Sequence, residues 1–90
     1  MKRKVFILSD STGDTAEKVV SAALRQFESH NVEVIIFPRV REEHEIEALV
    51  ERAADSRALL VHTTVNPRHR EMLQTLCSDA GLEEIDLIGT

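Results

Sequence analysis

Four hydroxyls, two carboxylates and a glycine are crowded into Ser9-Asp10-Ser11-Thr12-Gly13-Asp14-Thr15 of a 90-residue chain. The apolar run Val5-Phe6-Ile7-Leu8 precedes them and a long amphipathic segment follows. A loop between a strand and a helix offers backbone N–H groups and the positive end of a helix dipole to an anion such as phosphate. Ser9, Ser11, Thr12 and Thr15 add hydroxyl donors. Gly13 lets the main chain turn sharply and approach a ligand closely. The anion-binding reading therefore rests on Ser9, Ser11, Thr12, Gly13, Asp14 and Thr15. The plainer reading is an ordinary connection whose Ser, Thr and Asp cap and turn. No Lys follows a Gly as a Walker A loop requires, and one glycine stands where a dinucleotide fingerprint needs three.

Asp10 and His62 are the candidates for a catalytic role. Asp10 could act as a base or hold a metal-bound phosphate, but a single carboxylate beside a turn is more often a turn former. His62, near the end of the apolar run Ala58–Thr63, could serve as a general base or phosphate partner. A strand-end histidine bonded to a backbone group is the favoured alternative. Arg39 and Arg41 follow a second apolar run, and Arg39 is placed as a phosphate clamp. Ion pairs with Glu42 or Glu43 explain both arginines equally well. Cys77 falls on a helical apolar stripe and reads as an inert core thiol. His30, His44 and His69 share no metal-ligand spacing, so no metal site is expected.

These residues need elements to hold them. Residues 4–9 read as a strand buried on both faces, and Val32–Phe37 reads as a second strand, ended by Pro38. Between them Ala16, Val19, Val20, Ala23, Leu24 and Phe27 form one stripe at 3.6-residue spacing, predicting a helix over 15–29. Asp14 is its expected N-cap with Glu17 completing a capping box, and His30 and Asn31 close it. A second helix is expected over 42–55, with acidic residues in its first turn and Ile46, Leu49, Val50 and Ala53 inward. Residues 58–63 form strand three. Asn66-Pro67 starts helix three, which runs to Ala80 with Met72, Leu73, Leu76, Cys77 and Ala80 inward and Gly81 as its cap. Residues 85–88 form strand four.

The order βαβαβαβ with short connections predicts an α/β fold in three layers. A parallel four-stranded sheet of order 2-1-3-4, flavodoxin- or Rossmann-like, is expected. Ligands in such folds bind beyond the carboxyl ends of the strands where the order reverses. Here that place gathers the 9–15 loop, His62, Thr63, Thr64, Asn66 and Arg39. A sheet of this kind lacks its fifth unit, so residues 1–90 are expected as a single domain that is the N-terminal part of a longer chain, or as one that self-associates, with a homodimer the simplest form.

Composition narrows the partners. The net charge of −5 and three aromatic residues argue against a nucleic-acid surface, and no apolar run is long enough to span a membrane. The single cysteine allows no intrachain disulfide and suits a cytoplasmic protein.

Residues 4–27, KVFILSDSTGDTAEKVVSAALRQF, resemble the opening of the bacterial pyruvate,phosphate dikinase and phosphoenolpyruvate synthase regulatory proteins. VEVIIFPRV (32–40) and IDLIG (85–89) are similar to later segments of that family in the same order. The resemblance implies a bifunctional regulator. Its members phosphorylate a threonine of the target dikinase or synthase using ADP, and remove the phosphate with inorganic phosphate. They are much longer than this chain, and their nucleotide P-loop lies beyond Thr90, so no residue here inherits the nucleotide site. No cofactor is expected within the chain itself. Two other readings stay open: a flavodoxin-like module, since Thr12-Gly13-Asp14-Thr15 resembles the loop that holds the phosphate of FMN, and a non-catalytic assembly domain.

Overall fold

The computed structural model describes residues 3–26 and 31–88. Its elements are β1 (Arg3–Leu8), α1 (Asp14–Gln26), β2 (Val32–Phe37), α2 (Glu43–Ser56), β3 (Leu59–His62), α3 (Pro67–Ala80) and β4 (Glu84–Asp86). The strands form one parallel sheet in the order β2-β1-β3-β4, as expected. The chain is a doubly wound α/β fold whose order reverses between β1 and β3.

The alternation of strand side chains decides what each face becomes. Phe6 and Leu8 of β1, Ile35 and Phe37 of β2 and Leu60 of β3 point to the side of α2 and α3. There they pack with Ile46, Leu49, Val50 and Ala53 of α2 and with Leu73 and Cys77 of α3. Phe6 and Phe37 meet with ring centroids 5.1 Å apart and tilted by 54°, and the Arg52 guanidinium lies over Phe37 at 5.6 Å. The opposite residues of the same strands, Val5, Ile7, Val32, Val34, Ile36, Leu59 and Val61, pack with Ala16 and Val20 of α1.

Helix ends follow local chemistry. Asn66 accepts hydrogen bonds from the N–H groups of Arg68 and His69, Pro67 takes the first helical position, and Gly81 closes α3 at φ 69°. In α2 the Glu45 carboxylate accepts from the N–H groups of Arg41 and Glu42. Arg57 closes α2 in the left-handed region, at φ 53°, a position that favours glycine.

Several expectations shift. The cap of α1 is Gly13 rather than Asp14: the Gly13 carbonyl accepts from Glu17 N–H, the first helical bond. Of the stripe expected on α1, Ala16 is buried and Val20 and Leu24 half-buried, whereas Val19 and Ala23 are exposed. One helix alone on its face buries only its innermost line of residues. Phe27 and His30 lie outside the described residues. Ala80 is exposed, although Cys77 in the same last turn is fully buried. Strand four comes earlier than 85–88. The Asp86 carboxylate accepts from Ile88 N–H, a local turn that ends the strand.

Candidate functional site

The crevice where the strand order reverses is bounded by the segments after β1 and β3. They are joined directly: the Asp10 carboxylate accepts from Val65 N–H at 3.1 Å. The Ser9 N–H donates to the Phe37 carbonyl and the Thr63 N–H to the Leu8 carbonyl, so pairing runs one residue past each strand. The segment after β2 is tied in as well, by Arg39 N–H to the Ser11 carbonyl and Val40 N–H to the Ser9 carbonyl.

Inside the loop the polar side chains serve the backbone. Ser9 is buried and its hydroxyl accepts from Ser11 N–H at 3.0 Å. The Thr12 hydroxyl accepts from Asp14 N–H at 3.4 Å. Gly13 sits at φ 82°, and a β-carbon there would lie 2.8 Å from the Ile36 side chain. Its glycine is thus required twice, by backbone angle and by close packing against β2. Ser11, Thr12, Asp14 and Thr15 are exposed. The N–H groups of Thr15 and Ala16 precede the first helical bond of α1 and have no partner within the helix. Arg39 is exposed at φ 55°, beside this loop, and no ion pair engages it among the described residues. The structure brings Asp10, Ser11 and the backbone of Arg39 together at the crevice.

His62 belongs to different surroundings. It shares a sheet face with Leu60, so it points to the α2 and α3 side, and it is fully buried. Its Nε2 lies 2.6 Å from the Glu84 carboxylate. The partner is therefore a carboxylate on the neighbouring strand rather than a backbone group. Two residues further along β4, Arg70 of α3 holds the Asp86 carboxylate with Nε at 2.9 Å and Nη2 at 2.8 Å. His62 Nδ1 and the Thr64 hydroxyl, both buried, have no hydrogen-bond partner among the described residues. Glu84, Asp86 and Arg70 escaped the sequence reading. The signal was present in Glu84-Ile85-Asp86: if Ile85 faces one side of the sheet, both acids face the other, next to His62.

Glu43 pairs with Arg68 of α3 at 2.6 Å, not with Arg39 or Arg41, because α3 starts alongside α2. Both partners are exposed and the pair contributes little stability. Cys77 is fully buried, and burial first and the Glu84 charge second push its thiol up to about 11. Such a thiol is a poor nucleophile at neutral pH. Among the described residues no cluster of three or more His, Cys, Asp or Glu could hold a metal ion, and no helix is long and apolar enough to cross a membrane.

The fold and its crevice define a doubly wound α/β domain with a polar β1–α1 loop. Residues 5–90 match the Kinase/pyrophosphorylase family, and the chain belongs to it. It is 44% identical over 86 residues to a relative from Sorangium cellulosum, covering 96% of this chain and 31% of the relative. A relative from Shouchella clausii is 41% identical over 85 residues, covering 94% and 31%. One from Lysinibacillus sphaericus is 36% identical over 92 residues, covering 99% and 34%. All three carry, provisionally, the name pyruvate, phosphate dikinase regulatory protein. The chain spans about a third of the length of these curated relatives.

Proposed function

We propose that this chain supplies the N-terminal domain of a cytoplasmic regulator that phosphorylates a dikinase, pyruvate,phosphate dikinase or phosphoenolpyruvate synthase, and reverses that modification. The observation that carries the reading is the family match over residues 5–90. The chemistry balances without a metal redox step or organic cofactor. Transfer of the terminal phosphoryl group of ADP to a threonine hydroxyl leaves AMP. Attack of inorganic phosphate on the phosphothreonine returns the hydroxyl and leaves pyrophosphate, in keeping with the family's name.

Both directions require a place for phosphate. In this chain the proposed contact is the β1–α1 loop. Thr12 and Thr15 present exposed side chains there, the first N–H groups of α1 lie at the positive end of the helix dipole, and the exposed Arg39 is bonded to the loop through its N–H and the Ser11 carbonyl. Asp10, engaged with Val65 N–H, acts as a brace that holds the two sides of the crevice in register rather than as a base. The ADP site belongs to the rest of the family-length protein.

A chimera tests this. The chain replaces the matched N-terminal third of the Sorangium cellulosum relative, and phosphoryl transfer from ADP to a dikinase is followed. The chimera is expected to transfer phosphate and the isolated chain is not. Transfer by the isolated chain, or a folded but inactive chimera beside an active parent, would contradict the reading. For the loop, inorganic phosphate is expected to shift the amide resonances of Ser11–Thr15 more than those of α2 and α3; uniform shifts would remove the phosphate contact.

A further inference from the structure

The sheet is covered unequally. Four strands at about 4.8 Å spacing make a face roughly 19 Å across, and a helix is about 10 Å wide. Two helices therefore cover one face. On one side α2 and α3 do so, and on the other α1 stands alone. The right-handed β1-α1-β2 crossover places α1 over β1 and β2, where Ala16 and Val20 pack. The place beside it, over β3 and β4, has no helix among the described residues. There Ile85, which pairs with Val61 in the ladder and shares its sheet face, is 44% exposed. Val19 of α1 is 48% exposed, and Leu87 and Ile88 follow β4 at 36% and 48%. Exposed large apolar residues on an uncovered sheet face mark an interaction surface. In addition, β4 is an edge strand of the sheet among the described residues, with β3 on one side, and an edge strand is a template for a further one.

We infer that the strip over β3 and β4 on the α1 face, with the outer edge of β4, is a docking surface for the part of the family-length protein outside the matched third. The occupant is an amphipathic helix laid beside α1 on Val19 and Ile85, together with a strand added in parallel to β4. The chain aligns with 31% of the Sorangium cellulosum relative, so more than two thirds of that protein is available to fill the place. A second copy of this chain fits less well. Each copy brings a net charge of −5, and a twofold axis at β4 would set its strands antiparallel against a parallel sheet. The inference rests on family membership and not on the phosphoryl-transfer reading.

The test compares one substitution in two settings. In the isolated chain, Ile85→Asp is expected to leave the melting temperature unchanged within about 2 °C, because the side chain is already half in water. In the chimera the same substitution is expected to lower it by about 5 °C or more. Amide exchange at Glu84, whose N–H lies on the edge of β4 away from β3, is expected to slow at least about tenfold between isolated chain and chimera. Equal effects of Ile85→Asp in both settings, with unchanged exchange, would overturn the proposal. So would an isolated chain that sediments as a dimer and becomes monomeric with Ile85→Asp, which assigns the surface to a second copy. Should the chimera not fold, aspartate is placed in the intact relative at the residue aligned with Ile85; an unchanged melting temperature there would equally overturn it. A dikinase-inactive chimera that still shows the exchange protection would contradict the proposed function alone.

Discussion

On the face beneath α2 and α3, Phe6, Leu8, Ile46, Ala53, Leu60 and Leu73 are each 1% exposed or less. On the face beneath α1, Ile7 and Ala16 are as fully buried, but Val19 and Ile85 stay about half exposed on the same side of the sheet. Both faces use the same strands and the same alternation of side chains. The difference lies in the number of helices that each can enlist. A face with two helices makes a closed core. A face with one makes a core only along the innermost line of that helix, and its remaining apolar surface is left for something else to cover. Stability and binding capacity are thereby separated across a single sheet.

Substitutions can break or sharpen that contrast, and denaturant unfolding of the isolated chain measures them. The largest loss is expected from Phe6→Ala, about 3–5 kcal/mol, because the ring is 1% exposed and fills the centre of the two-helix face. Gly13→Ala should follow at about 2–4 kcal/mol, from left-handed strain and a clash with Ile36. It acts on the α1 face where the β1–α1 loop packs against β2, so a loss below about 0.5 kcal/mol there would mean that α1 is hardly anchored at all. Asn66→Ala should cost about 1 kcal/mol by removing the cap of α3. Val19→Ser should change stability by less than about 0.5 kcal/mol. A Val19 effect as large as that of Phe6 would abolish the contrast.

Cys77 adds a pH signature of the closed face. Its folded pKa is raised to about 11 from the ordinary thiol value of 9.0, so the unfolded chain loses the proton first as pH rises. The contribution is fully present below pH 9.0 and is lost between there and about 11. Stability of Cys77→Ala is expected to fall less steeply over that interval, as read from unfolding midpoints at successive pH values.

The fold was legible because periodicity carried it. Continuous apolar runs marked β1, β2 and β3, and the Asn66-Pro67 pair and Gly81 marked both ends of α3. The stripe of α1 misled, since a spacing of 3 and 4 shows which residues could be inward but not how many layers exist to receive them. Val19 obeys the pattern and remains in water. Of the site, Gly13 was legible as a special position, although its packing on Ile36 depends on a strand far along the chain. The His62–Glu84 and Arg70–Asp86 pairs were not legible, because they join residues on different elements through the sheet register. Asp10 looked like a turn former or a base, and its bond to Val65 N–H could be found only once β1 and β3 were known to be neighbours.

Native-state hydrogen exchange of the isolated chain tests the unequal sheet most directly. Amides in the middle of α3, around Leu73 and Cys77, should exchange only through global unfolding, and those in the middle of α1, around Val20, should open at a distinctly lower free energy. Equal opening free energies for the two helices would contradict the account.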